Sequence, residues 1–393
     1  MKRILILGCV LMLGSTQDAD PNLVVHEWGT FTAVVGSDGV QLEWRPLVDE
    51  DLPDFVYSRQ KPGFVEALDE EAVLMKRELV SYQRMETPVT YFYADRTMDV
   101  DVRVDFPKGL LTEWYPRVRE FGPVLSSTPP EVKNGFLRWG KVKLIPPSEF
   151  EGALPTGGDG GHYYHARDVD ASYVRVCNAG QDHHPTEFER FLFYRGVSDF
   201  MQPMTIRAED KGRVSVVNEG IEDVHHVFLL HVDGDRAGFS FRCMVRADGA
   251  WTTPMPELRP KAEAMRAIEE EMETCLVMDG LYRKEARAMV KTWSASWFGD
   301  EGTRVLYLMP ERLTNAILPL QVTPRPKEMK RVMVGRVEWL TPEREREIGR
   351  ALLDGSTPAG RFAEPMVRRA METTDDPRVR ERAERVLEAM RPR

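Results

Sequence analysis

The chain is short of the residues that usually announce chemistry. It holds 4 cysteines and 8 histidines in 393 positions. No two cysteines form a Cys-x-x-Cys pair, which removes thiolate metal sites and thioredoxin-like motifs. There is no Gly-x-Ser-x-Gly elbow and no His-Glu-x-x-His helix, and no Gly-Lys-Ser/Thr follows the glycine-rich stretch 157–161. The signatures of serine hydrolases, zincins and phosphate-binding loops are therefore missing. Positive charge is also in deficit, with 53 Lys and Arg against 63 Asp and Glu and a formal net charge of −10. That balance argues against a general nucleic-acid binder, which needs clustered basic residues, and against docking on anionic lipid. No apolar run is long enough to span a bilayer, which takes about 20 residues.

The one apolar run stands at the start. Lys2 and Arg3 precede Ile4 to Leu13, and Gly14 to Ala19 are small or polar. This is the order of a secretory signal peptide over residues 1–19, so the protein is expected to be exported, to the periplasm or outside the cell. Ile6-Leu7-Gly8-Cys9 superficially resembles a lipobox, but Cys9 sits inside the apolar run rather than after it, and a lipid anchor there is disfavoured. Of the remaining cysteines, Cys177 and Cys243 both lie in strand-like runs and form the natural disulfide guess for an exported chain. Three reduced cysteines are the equal alternative.

Most of the mature chain reads as short strands. Leu23 to Val35 is rich in β-branched and aromatic residues, and Val40 to Trp44 can return after the turn Gly36-Ser37-Asp38-Gly39. Residues 46–63 read as loop and 64–82 partly fit helical spacing. Val89 to Tyr93 and Met98 to Phe106 follow; in the second, Val100, Val102, Val104 and Phe106 alternate with charged residues, the pattern of a strand with one wet face. Strands are predicted over 136–145, 173–177, 188–194, 204–208, 213–217, 224–232 and 238–245. The texture changes near Pro254-Met255-Pro256. A helix is expected to Val277, stopped by Asp279-Gly280, and a second over 281–298 with Tyr282, Ala286, Met289, Val290, Trp293 and Trp297 on its apolar stripe. Strands over 303–309 and 330–340 flank a proline-rich loop. Thr341-Pro342 and Asp376-Pro377 open helices, with another over 360–373. The fold class is mainly β, antiparallel and sandwich-like, with a helical C-terminal part, α+β overall. The expected units are a β-rich domain over 20–255, a helical pair with returning strands over 256–340, and a helical segment resembling HEAT units over 341–393.

Two places can carry chemistry. The stretch 157–196 holds half of the histidines. His162, His165 and Asp168 follow the glycine-rich loop, and His183 and His184 stand in a later polar turn. Imidazole and carboxylate ligands of this kind suit Zn²⁺, whose bound water would serve hydrolysis, if the two loops fold together. The competing reading is solvated loop histidines and no cofactor. His26-Glu27-Trp28 can place a general base beside an aromatic platform, as sugar-binding clefts do; the alternative is a solvent-face pair on a strand.

His26-Glu27-Trp28-Gly29-Thr30-Phe31-Thr32, Met85-Glu86-Thr87-Pro88, Met289 to Trp293, Ser296-Trp297-Phe298, Val305-Leu306-Tyr307 and Val334-Gly335-Arg336 together resemble a group of exported bacterial proteins of unknown function. The resemblance covers most of the mature chain and implies export, with no activity or catalytic residue to transfer. The expectation is an exported binding or structural protein of the cell envelope, with a protein or glycan partner. A metal-dependent hydrolase on the histidine loops is the rival.

Overall fold

The computed structural model describes residues 19–46, 52–59, 79–124, 131–158, 161–177 and 186–390. The body of the expected leader, Cys9, residues 64–78 and the turn with Asp182, His183 and His184 lie outside the described residues. Along the chain run β1 (Asp20–Val35), β2 (Gln41–Leu42), β3 (Tyr57–Ser58), β4 (Gln83–Ala94), β5 (Met98–Phe106), β6 (Gly109–Tyr115), β7 (Glu120–Gly122) and β8 (Gly135–Ile145). A 3-10 helix over Gly161–Arg167 leads to β9 (Tyr173–Val176), β10 (Glu187–Glu189), β11 (Leu192–Ser198), β12 (Met204–Glu209), β13 (Arg213–Asn218), β14 (Val224–Asp233), β15 (Arg236–Val245), β16 (Gly249–Pro254) and β17 (Arg259–Pro260). Then come α1 (Lys261–Met278), α2 (Arg283–Gly299), β18 (Gly302–Leu308), α3 (Glu311–Ile317), β19 (Leu320–Thr323), β20 (Pro326–Trp339), α4 (Pro342–Leu353), α5 (Ala363–Thr373) and α6 (Pro377–Ala389).

The protein is mainly β, with antiparallel sheets and a helical C-terminal region. The main sheet runs β17-β15-β14-β18-β20-β1-β4-β11-β6-β3, with β2 paired to the end of β1. A second sheet, β10-β9-β8-β5-β19 with β7 on β8, and a small sheet, β12-β13-β16, complete the set. One pairing in the main sheet breaks the antiparallel rule. β1 and β20 lie parallel at its centre, from Val24 opposite Glu328 to Val35 opposite Trp339.

The main sheet is covered on both faces. On one side Val25, Phe31, Phe92 and Tyr307 share a core with Val102, Leu137 and Val142 of the second sheet. On the other, Trp28, Val89, Phe228 and Leu306 share a core with Met272, Met289, Trp293 and Trp297 of α1 and α2. The two tryptophans are core anchors. A strand covered twice has no wet face, so β1 is buried without interruption from Val25 to Val35. β5, covered once, alternates as its sequence predicts.

Several elements depart from the sequence reading for identifiable reasons. Phe188 to Tyr194 is not one strand. β10 belongs to the second sheet and β11 to the main sheet, and a bend at Arg190-Phe191 carries the chain between them. β6 has no alternation to reveal it, because it too is buried on both faces, and its Glu113 is neutralised by Arg195 Nε at 2.9 Å. α3 lies just before the proline-rich loop. Tyr282 leaves the apolar stripe of α2 and becomes its N-cap, about half exposed. Cys177, Cys243 and Cys275 are all free thiols. The expected Cys177–Cys243 disulfide is absent: Cys177 follows β9 in the second sheet, whereas Cys243 belongs to β15 in the main one.

Two glycines are dictated by close approach. A Cβ on Gly29 would lie 2.9 Å from the Pro88 backbone, where the β1–β4 register slips, and one on Gly335 would enter the Tyr307 ring. The stretches around Trp28-Gly29, Thr87-Pro88, Tyr307 and Gly335 are thus neighbours in the main sheet.

The C-terminal helices have their own small core, built from Ile348, Leu352, Val367, Val379 and Ala383. Thr341 and Asp376 cap α4 and α6 as their sequence predicts, accepting from the backbone N–H groups of Arg344 and Arg378. The helices dock through Trp44 against Phe362, and through ion pairs Arg45–Glu364 at 2.6 Å and Arg369–Asp38 at 2.8 Å. Arg361 also pairs with Glu86, a buried carboxylate on β4. Burial alone would raise the Glu86 carboxyl. The charges of Arg361, Arg84 and Arg336 outweigh it and hold the group at about 2. A folded-state value below the unfolded one contributes stability that is complete above about pH 4.5 and is lost as the pH falls toward 2, worth about 3 kcal/mol. Urea denaturation from pH 7 to pH 2.5 should show Glu86→Gln less stable than wild type at neutral pH, with the gap closing in acid. A gap that stays constant with pH would show that the ion pairing adds nothing.

Candidate functional site

Pleating separates the residues that the sequence sets side by side. His26 and Trp28 project from β1 toward the helices and Glu27 toward the second sheet. Each therefore finds different partners.

His26 meets Glu285 of α2, with Nδ1 2.8 Å from Oε2. The same carboxylate accepts from the Tyr93 hydroxyl at 2.7 Å and from the Tyr282 backbone N–H at 2.7 Å. Burial, then the Glu285 charge, pushes the Tyr93 phenol far up, so it stays a donor. The aromatic groups beside His26 are Tyr282 and Tyr93, with ring centroids 4.4 and 5.5 Å away. Trp28 is fully buried and offers no platform to a ligand. The His26 and Glu285 side chains are 1% and 0% exposed, so this dyad is closed to solvent.

Glu27 is fully buried as well. One oxygen accepts from Thr90 Oγ1 at 2.8 Å and from the Tyr194 hydroxyl. The other takes Arg331 Nε at 2.7 Å and also Nη2. Arg331 spends its remaining nitrogen on the Leu318 carbonyl and Asn315. Burial works against the Arg331 charge, but Glu27 more than compensates and raises its pKa. The charges are matched and the hydrogen bonds filled, which is the structure of an internal brace rather than of a reactive group.

The histidine stretch divides differently. Residues 161–167 form a 3-10 helix instead of a loop running into a strand. His162 packs against Trp293 at 5.4 Å between ring centroids. His165 is exposed, and Asp168 is exposed and 3.4 Å from Lys291. Among the described residues no three His, Cys, Asp or Glu side chains converge to hold a metal ion. His162, His165 and Asp168 do not form a common ligand set, and His183 and His184 lie outside the described residues.

The flanks of the two loops nevertheless meet. Ala153, Leu154 and Pro155 before the glycine-rich loop, and Thr186, Glu187 and Phe188 after the His183-His184 turn, line one cleft of about 360 Å³. Asp54, Phe55, Val56, Tyr57 and Tyr115 form its remaining wall. The wall is braced from behind. Phe55 stands edge-on to Tyr115 at 4.8 Å and to Tyr163 of the 3-10 helix at 5.6 Å. Arg167 lies over Tyr164 at 4.7 Å and binds the buried Glu189 at 2.6 Å. Tyr164 donates to the Gly157 carbonyl at 2.7 Å.

The polar end of the cleft is a network. The Tyr57 hydroxyl donates to Glu187, whose other oxygen accepts the Arg117 backbone N–H at 2.7 Å. Arg117 Nη2 donates to the Tyr57 oxygen at 2.9 Å, and its guanidinium lies 5.2 Å from that ring. Burial first, then Glu187, pushes the Tyr57 phenol up to about 12. It therefore remains a protonated donor across the physiological range. Half-buried aromatic faces and a carboxylate can receive a ligand with both an apolar face and hydroxyl edges. The sequence reading assigned Asp54 to Tyr57 to a plain loop. A clue was present in Asp54-Phe55-Val56-Tyr57 and Glu187-Phe188, where acids adjoin aromatics in otherwise polar or proline-rich segments.

No family model matches the chain, and no curated protein does. Among solved structures it is similar to the Fcho1 Mu homology domain of Danio rerio with bound Eps15 peptide, at 7% identity and a TM-score of 0.30, over 83% of this chain and 99% of that one. It is also similar to the yeast delta-COP-I mu-homology domain, at 7% identity and a TM-score of 0.28, over 81% and 97% of the two chains. At these scores neither likeness bears on function.

The Glu27–Arg331 brace gives a direct test. Glu27→Ala leaves Arg331 buried and unpaired and should cost about 3–5 kcal/mol. The double change Glu27→Met with Arg331→Met should cost much less, read as urea midpoints. Equal losses from the single and double variants would mean that the side chains matter for packing and not for charge pairing.

Proposed function

We propose that the protein is an exported binding protein of the cell envelope and that it holds a short carbohydrate segment in the aromatic cleft between Phe55, Tyr57 and Phe188. One observation carries this reading: half-buried aromatic faces and a hydrogen-bonded carboxylate line the same cleft. Its volume falls in the roughly 300–1,000 Å³ range of small-molecule sites. A pyranose ring presents C–H groups on one face, which pack on an aromatic ring, and hydroxyls at its edge, which can donate to the carboxylates of Glu187 and Asp54. The basic start, apolar run and polar exit of residues 1–19 support export. Among the described residues no helix is long and apolar enough to cross a membrane.

Titration calorimetry with neutral oligosaccharides and soluble peptidoglycan fragments tests the cleft. Saturable binding is expected, weakened about tenfold or more in Phe188→Ala, since a central aromatic contact is worth roughly 1–2 kcal/mol. Binding that ignores the substitution, or no binding at all, removes the carbohydrate reading. Elemental analysis of the purified protein serves the rival reading. Stoichiometric zinc lost on His162→Ala or His183→Ala would replace the binding protein with a metal-dependent hydrolase.

A further inference from the structure

Of the free thiols, two belong to elements that pack on each other. Cys243 is exposed near the end of β15, and Cys275 is 1% exposed on the buried face of α1. Cys177 stands apart, after β9 of the second sheet and 3.7 Å from the Thr186 hydroxyl.

Register brings Cys243 and Cys275 together. Opposite residues of an antiparallel pair share a face. Phe228 and Leu230 of β14 face the helices, and Phe241 and Phe239 of β15 stand opposite them. Two residues beyond Phe241, Cys243 falls on that same face. α1 sets out from the start of β15. The Lys261 N–H donates to the Asp235 carbonyl at 2.8 Å, and Ala264 packs with Ala237. Helix and strand then run the same way, since Met265 and Ile268 line a small cavity with Phe239, the next helix-facing residue of β15. From Ala264 to Cys275 the helix rises about 16 Å, and from Ala237 to Cys243 the strand rises about 20 Å. The two cysteines arrive at nearly the same level, on surfaces that face each other.

Their neighbours agree with this placement. His226 lies between the pairs His225–Met244 and Val227–Arg242, so it stands opposite Cys243, and its ring stacks on Phe241. Burial lowers the His226 imidazole, and the charges of Asp279 and Glu271 act against that shift. Glu271 and Asp279 stand one helical turn before and after Cys275, so this face of α1 lies over this part of the sheet. Burial pushes the Cys275 thiol up to about 12, with further pushes from Glu271 and then Cys243. Cys275 is therefore held as a thiol, and the exposed Cys243 is the one open to a reagent.

We infer that Cys243 and Cys275 are the two halves of a disulfide that closes under oxidising conditions and staples the end of α1 to β15. The place gives the bond a use. β17 pairs only with Arg236 and Ala237, so among the described residues the rest of β15 is an open edge of the main sheet. The oxidant is a low-molecular-weight disulfide of the glutathione type, found in oxidising compartments. Cys243, as thiolate, attacks one sulfur of that disulfide and releases the first thiol. Cys275 then attacks the Cys243 sulfur of the mixed disulfide and releases the second. One small disulfide is reduced to two thiols, two protein thiols are oxidised to one S–S bond, and the two protons end on the released thiols.

The native full chain is incubated with mixtures of oxidised and reduced glutathione, its free thiols are blocked with N-ethylmaleimide, and its peptides are mapped by mass spectrometry without reduction. A Cys243–Cys275 peptide is expected as the main cross-link, in protein that runs as a monomer on a non-reducing gel, and it should disappear with dithiothreitol. Cys177→Ser should leave its yield unchanged. Cys275→Ala should stop at a Cys243–glutathione adduct, with circular dichroism confirming the fold. Cys243→Ser changes an exposed position only and should leave Cys275 free of glutathione in the native chain. A Cys243–glutathione adduct that persists in the wild type, a Cys243–Cys243 dimer, a Cys177–Cys243 link or no cross-link at all would overturn the inference.

Discussion

The pairing of β1 with β20 is the constraint on which the rest depends. Two strands from opposite ends of the chain lie parallel at the middle of the main sheet, and every other strand of that sheet is added to one flank or the other. Burial on both faces makes an unmatched charge costly. Glu27 and Arg331, directly opposite each other in the register, therefore have to satisfy one another, and Thr90, Tyr194 and the Leu318 carbonyl fill the remaining hydrogen-bonding positions. Such a pair is weak as a source of net stability but strong as a selector of register, because a slip by one residue would bury both charges alone.

The same double coverage positions the aromatic cleft beside Phe55 and Tyr57. The helix layer presses the 3-10 helix 161–167 onto the end of the sheet, and Tyr163 and Phe55 form the interlock that holds the cleft wall. Glu189 and Arg167 are matched for the same reason as Glu27 and Arg331. The result is an aromatic wall built on sheet and 3-10 helix, with Ala153 to Pro155 and Thr186 to Phe188 facing it. Rigid scaffold with loops at the rim is the common plan of binding sites.

How much of this was legible depended on how many faces each element buries. β5 could be read from the alternation of Val100, Val102 and Val104, because one of its faces is wet. β1 and β20 could be read from composition. β6 could not, since Leu110, Leu111, Trp114 and Tyr115 face two cores and leave no period. The capped starts at Thr341-Pro342 and Asp376-Pro377 were plain because capping is local chemistry. The partners of the chemical groups were hidden for the opposite reason. His26 is bound by a carboxylate 259 residues away and Glu27 by a guanidinium 304 away, and neither adjacency has any trace in local pattern. The neighbouring letters His-Glu-Trp suggested one site, but the pleat sends them to different layers.

The separation of β1 from β20 has a consequence for the order in which the molecule can be made. Chain emerging N-terminus first offers β1 and β4 as partners almost at once, but β1 keeps one open edge until Pro326–Trp339 has emerged. Closing a loop of this length adds little to the equilibrium cost, since entropy grows only logarithmically with length, but it puts the decisive contact at the end of synthesis. Until then a strand that the finished sheet buries from Val25 to Val35 presents an unpaired edge, the kind that recruits other chains.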